Sequence, residues 1–90
     1  MINALIIDEK DDVAVAIEEI KNGTEGNFRL KNGIKTVKVA GDIPIYHKFA
    51  LNDIPKGVAV IKYGEHIGVA TVDIKKGEHV HVHNVKSEKN

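Results

Sequence analysis

The sequence predicts a mainly β domain with one N-terminal α-helix, on three observations. From Asn27 onward, apolar and polar residues alternate over short stretches, as they do in half-buried strands. Turn residues such as Asn32-Gly33 and Gly41-Asp42 interrupt these stretches at short intervals. Helical spacing is convincing only once, between residues 11 and 22.

In chain order, Asn3 to Asp8 reads as a first strand ending in an acidic cluster. Asp11 or Asp12 then serves as an N-cap. Val13, Ile17 and Ile20 recur at helical spacing with Glu18 and Glu19 turned to water, until Asn22-Gly23 ends the run. The acids at the start of this helix suit its macrodipole. Asn27 to Lys31 and Ile34 to Ala40 alternate around Asn32-Gly33, a two-residue hairpin signal. Gly41-Asp42 breaks the chain, and Pro44 keeps its neighbours extended.

The second half carries an internal repeat. Asp53-Ile54-Pro55-Lys56-Gly57-Val58-Ala59-Val60 returns twenty residues later as Asp73-Ile74-Lys75-Lys76-Gly77-Glu78-His79-Val80. Each copy reads as a tight turn, bent by Asp and Gly, feeding a strand. Two copies are too few for a solenoid and imply a compact β body with local pseudo-symmetry, Gly57 and Gly77 occupying equivalent turns.

The stretch Gly77-Glu78-His79-Val80-His81-Val82-His83-Asn84 carries the chemistry. In an extended strand it places His79, His81 and His83 on one face and Val80 and Val82 on the other. Imidazole is the commonest side-chain metal ligand and titrates near neutrality. Neighbouring histidines of such a row lie about 7 Å apart at Cα, so two can close on one ion while three from a straight strand would strain to do so. The same pattern also describes the wet outer face of an amphipathic strand.

Ninety residues make one domain, 1–90, with one small core and no room for a deep catalytic cavity. Thirteen basic and thirteen acidic residues cancel, yet seven of the acids lie in residues 1–26, and eleven of the Lys and Arg lie in residues 27–90. The basic body suits an anionic small molecule or an acidic protein surface. Nucleic acid is not an expected partner, since two Phe, two Tyr, one Arg and no Trp supply neither stacking platforms nor a guanidinium patch. The absence of cysteine leaves His, Asp, Glu or Asn to hold any metal. Ala4-Leu5-Ile6-Ile7 is too short for a signal peptide or membrane span, so no membrane partner and a cytoplasmic location are expected.

The residues from Ala50 onward also carry a resemblance. Ala50-Leu51-x-Asp53-Ile54-x-x-Gly57-x-x-Val60-Ile61-Lys62-Tyr63-Gly64-x-x-Ile67-Gly68-x-Ala70, followed by Asp73-Ile74-x-x-Gly77-Glu78-His79-Val80-His81-x-His83-Asn84, resembles the SAF domain of the altronate and galactarate dehydratases. Asp11-Asp12-Val13-Ala14-Val15-Ala16 looks like the start of the same domain. The resemblance implies an SAF-type β-clip fold and metal-dependent, typically iron(II)-dependent, dehydration of a sugar acid. It also implies a large catalytic subunit, because the family's catalytic region is absent from these ninety residues. The split sulfolactate sulfo-lyase, with a small subunit of about this size, is similar.

Residue by residue, His47-Lys48 matches the family's His-Lys, Lys62-Tyr63-Gly64 its Lys-Tyr-Gly, and Gly77 to Asn84 its histidine signature. The resemblance thus implies His81 and His83 as catalytic, and His47, Lys48, Lys62 and Tyr63 as substrate-binding. His79, His81 and His83 become metal ligands, with the divalent ion's shell completed by the partner subunit. Tyr46 departs from the glycine that many relatives carry before the His-Lys, and a phenol there narrows the space near a substrate. Dehydrating a hydroxy acid requires a base, a cation to hold the enediolate and an acid for the leaving group. Histidine and lysine supply part of that set. Two readings follow: the small subunit of a sugar-acid dehydratase or of a sulfolactate sulfo-lyase, and a non-catalytic SAF module binding a carbohydrate or a protein.

Overall fold

A computed structural model describes residues 1–87, and these fold into nine short strands: β1 (Ala4–Leu5), β2 (Val13–Ala16), β3 (Glu25–Leu30), β4 (Gly33–Lys38), β5 (Lys48–Ala50), β6 (Ala59–Lys62), β7 (Glu65–Ala70), β8 (His79–Val80) and β9 (Val85–Lys86). Strands β1-β2-β5-β8 form an antiparallel sheet, β3-β4 a hairpin and β6-β7-β9 a third small sheet. The expectation of a mainly β fold holds. Of the expected single domain 1–90, residues 88–90 lie outside the described part.

The expected N-terminal helix is absent among the described residues, and a strand, β2, stands in its place. Val13, Ala14 and Ala16 are all buried, because both faces of β2 are covered. A strand buried on both faces reads as a continuous apolar run, and its Val and Ile fell by coincidence at helical spacing. The acids ahead of it bend the chain without capping a helix. Asp8 Oδ1 accepts the Lys10 N–H at 2.8 Å, while Asp11 Oδ2 accepts those of Ile7 and Asp8. That turn shortens the expected first strand to Ala4–Leu5.

The β3-β4 hairpin is present with its register one residue earlier than expected. Leu30 pairs with Gly33, so the two-residue loop is Lys31-Asn32. The second two-residue loop, Tyr63-Gly64 between Lys62 and Glu65, has φ of 56° and 75°. Two successive positive φ values are the mark of the hairpin turn that matches strand twist.

The repeated turns are equivalent, as expected. Ile54 and Ile74 exchange backbone hydrogen bonds of 2.7 and 2.8 Å. The Asp73 carboxylate accepts from Lys56 N–H at 2.9 Å, and Asp53 returns the contact to Lys76 at 2.8 Å. Gly57 and Gly77 have φ of 85° and 90°. Each donates to a strand carbonyl, Ala70 and Ala50 respectively.

The structure adds two further copies. Ile20 and Ile43 exchange bonds of 2.9 and 2.8 Å, and Asp42 accepts from Asn22 N–H. Gly23 N–H reaches Val39 and Tyr46 N–H reaches Ala16, as the glycines of the other pair do. The four units are therefore Glu19-Ile20-Lys21-Asn22-Gly23, Asp42-Ile43-Pro44-Ile45-Tyr46, Asp53-Ile54-Pro55-Lys56-Gly57 and Asp73-Ile74-Lys75-Lys76-Gly77. In the second, Tyr46 takes the left-handed position at φ 68°.

The two pairs of units serve two cores. Ile20 and Ile43 pack with Ala14, Ala16, Phe28, Val37, Val39 and Phe49, whereas Ile54 and Ile74 pack with Val13, Ala50, Val60, Ala70 and Val80. Adjacent residues Val13 and Ala14, and likewise Phe49 and Ala50, enter opposite clusters. The four-stranded sheet thus runs between the cores with its alternate side chains feeding each.

The paired turns can be tested against each other. A Cβ at Gly57 meets nothing within 4 Å, while one at Gly77 meets the Lys38 carbonyl oxygen at 2.5 Å. Gly57→Ala should cost about 1 kcal/mol from backbone strain alone. Gly77→Ala should cost about 1–3 kcal/mol more, because backbone has to move. Urea unfolding of both variants measures the difference, and equal losses would contradict the close approach.

Candidate functional site

The histidine signature leaves the strand after two residues. β8 ends at Val80, and residues 81–84 form a turn in which the N–H groups of Asn84 and Val85 donate to the His81 carbonyl at 3.1 Å. The buried Asn84 shapes it, its Oδ1 accepting the His81 N–H at 3.0 Å and its Nδ2 donating to the His79 carbonyl at 2.9 Å. The expectation that His79, His81 and His83 line one face of a strand is therefore corrected. Asparagine side chains mimic backbone partners and favour turns, and this one folds the row back on itself.

The turn gathers the imidazoles more closely than a strand would. His47, arriving beside β5, stacks on His81 with centroids 3.8 Å apart and planes at 15°. His47 Nδ1 lies 2.8 Å from His79 Nε2, so one ring donates and the other accepts. His83 completes the group, 4.9 Å from His79. Sequence reasoning placed His47 with the substrate-binding residues and missed its contacts with the row. The register Phe49↔His79 brings the two segments together, and it is not visible in residue spacing.

Lys48 and Lys62 form the cationic flank. Burial lowers the Lys48 pKa from its ordinary value, and the charge of Lys62 lowers it further, so the two ammonium groups feel each other. Lys62 Nζ stands 4.7 Å from the centre of the Tyr63 ring, a cation–π contact at the β6-β7 turn. Among the described residues the ion pairs are Lys21–Glu19 and Lys31–Glu9, neither of which involves this flank. The patch is thus positive and uncompensated, which suits an anion.

The histidines do not by themselves fit a divalent metal. Their planes lie within 36° of parallel in every contact, a stack rather than a convergent set. Among the described residues no group of three or more His, Cys, Asp or Glu side chains is arranged to hold an ion. What the stack suits is proton exchange. Burial foremost, with the neighbouring His83, His47, His81 and Lys48 charges, lowers the His79 pKa below 6.5. Burial, then His47, Lys48 and His83, lowers that of His81. Both rings are therefore neutral near pH 7 and available as bases. His81 Nδ1 is buried without a hydrogen-bond partner.

These shifts give a stability test. An unfolded chain takes up protons on His79 and His81 near pH 6.5, whereas the folded chain resists until lower pH. Their effect on stability is absent above that value, and stability is lost as pH falls from about 7 to about 5. Chemical denaturation across this range should show the decline, and the double variant His79→Gln, His81→Gln should flatten it. An unchanged slope would contradict the burial of the rings.

Comparison with known proteins gives the lineage. The altronate/galactarate dehydratase SAF domain matches residues 2–88. Altronate dehydratase of Escherichia coli (strain K12) is 48% identical over 77 residues, 86% of this chain and 15% of that protein. The altronate dehydratase of Bacillus subtilis (strain 168) is 40% identical over 81 residues, again only 16% of its length. This chain therefore spans about a sixth of those dehydratases. The (2R)-sulfolactate sulfo-lyase subunit alpha of Chromohalobacter salexigens is 37% identical over 94 residues, 98% of this chain and 97% of that subunit. On a match along nearly its whole length, the chain belongs to the altronate/galactarate dehydratase SAF domain family.

Proposed function

We propose that this chain is the small subunit of a metal-dependent sugar-acid dehydratase, a carbon–oxygen lyase whose site is completed by a large catalytic subunit. The observation that carries the reading is the cluster of four imidazoles beside Lys48 and Lys62, which lies on an open surface and holds acid-base groups without an enclosing cavity. Excluding water and fixing charge around an enediolate both require walls that a ninety-residue β body cannot supply.

In this reading a small anionic sugar acid sets its carboxylate against Lys48 and Lys62, with His47 and Tyr63 at its edges. A neutral His81 removes the proton beside the carboxylate. The carbon–oxygen bond then breaks, and the departing hydroxyl takes a proton from His83 to leave as water. The divalent ion, iron(II) by family, is assigned to ligands of the large subunit, with at most one or two of His79, His81 and His83 at its border. A cytoplasmic enzyme of sugar-acid metabolism fits this chemistry. Among the described residues, no helix is long and apolar enough to cross a membrane.

A second reading, the small subunit of a sulfolactate sulfo-lyase, is favoured by the near-complete overlap with a subunit of that enzyme. It keeps the same proton abstraction beside a carboxylate but breaks a carbon–sulfur bond and releases sulfite.

The chain alone should turn over neither sugar acids nor sulfolactate, and addition of the large subunit should restore activity on one of them. In the complex, His81→Ala or His83→Ala should lower kcat by about 100-fold or more, while Lys62→Ala should mainly raise KM. Steady-state assays over a panel of sugar acids and sulfolactate decide the leaving group. A large subunit fully active by itself, or histidine variants within about twofold of the parent, would instead leave a carbohydrate- or protein-binding module. Isolated, the chain should bind iron(II) or zinc weakly, and a tight one-to-one complex by calorimetry would show that its own ligands suffice.

A further inference from the structure

Tyr46 occupies the position at which the other three copies of the repeated turn carry Gly23, Gly57 and Gly77. Its φ of 68° is one that bulky side chains avoid, and its N–H is bonded to the Ala16 carbonyl at 2.7 Å, so the backbone cannot relax away from it. The ring is 71% exposed. Among the described residues its hydroxyl makes no hydrogen bond. A side chain that strains its backbone and stays wet gains nothing from this chain alone, and its compensation lies outside it.

Its surroundings indicate where. Tyr46 immediately precedes His47, whose ring stacks on His81. Directly after His81 comes Val82, 82% exposed. Val82, Ile67 and Val85 line a depression that also reaches Lys48 and His81. The imidazole stack is thus bordered by an exposed aromatic residue on one side and an aliphatic depression on the other.

We infer that Tyr46 and Val82 form the docking rim by which this chain seats on its large subunit, with the Tyr46 ring as the anchor in an apolar slot of that partner. The inference rests on the two-subunit reading above. In the Escherichia coli altronate dehydratase the matched region is only 15% of the protein, so a much larger body adjoins the same kind of domain. Partly exposed aromatic residues set in an apolar surround are the side chains that dominate such interfaces. A second copy of this chain is the poorer occupant. A symmetric contact through this rim would bring the Lys48 and Lys62 flanks of two copies towards each other, uncompensated.

The test compares the parent chain with Tyr46→Gly, Tyr46→Phe and Val82→Ser, each melted alone and then titrated calorimetrically into the purified large subunit. Tyr46→Gly should melt about 4–8 °C higher, because strain is relieved, yet bind the large subunit at least tenfold more weakly. Tyr46→Phe should bind within about threefold of the parent, and Val82→Ser should weaken binding without changing the fold. Unchanged binding by Tyr46→Gly, with the parent binding normally, overturns the rim and leaves the two-subunit reading standing. A parent chain that does not bind the large subunit overturns both. Self-association of the parent that Tyr46→Gly abolishes assigns the rim to a second copy and overturns the inference.

Discussion

Two reciprocal bridges hold the chain in shape, Ile20 with Ile43 and Ile54 with Ile74. In each, two backbone hydrogen bonds of 2.7–2.9 Å join segments some twenty residues apart, and the isoleucines that make them are buried. Bonds so placed are out of water, and breaking one leaves a donor and an acceptor without partners at a loss of about 1–3 kcal/mol each. The acid that begins each unit and the left-handed residue that ends it set the angle at which the next strand departs. The order of strands in the four-stranded sheet follows from those departures.

Much of this was legible, and the exceptions have physical reasons. The repeat showed itself where Asp, Ile, Lys and Gly recur together at 53–57 and 73–77. It stayed hidden at 19–23 and 42–46, where Glu19 and Tyr46 replace the residues that advertise the turn while the backbone keeps its path. The helix expected over β2 fails because burial on both faces erases the alternation that marks a strand. At the site, the composition was legible and the geometry was not. His79, His81 and His83 do gather, but through the turn held by Asn84, and the approach of His47 depends on a pairing register that no local pattern encodes.

The features that fit the chain for chemistry are those that strain it. Four imidazoles and two lysines share one small surface, and the pKa values of His79, His81 and Lys48 are lowered in consequence. A buried nitrogen on His81 lacks a partner and Tyr46 sits in a disfavoured conformation. Each is destabilising in the isolated chain and is tolerated because the paired turns and the two cores supply stability elsewhere. Such a division, with scaffold on one side and unsatisfied groups on the other, is what an incomplete site should look like.

The four-stranded sheet between the cores also governs how the chain reaches its native state. Its order β1-β2-β5-β8 joins residues near the N-terminus to His79 and Val80, and only the β1-β2 pair is local. Neither core can close until that sheet exists, yet the sheet forms only after loops of some thirty residues have been drawn together, with their entropy lost before any burial rewards it. A small all-β chain of such non-local pairing folds on the millisecond-to-second scale rather than in microseconds. During that interval the paired isoleucines are exposed, so newly made chains depend on dilution or on early capture by a partner to avoid association through them.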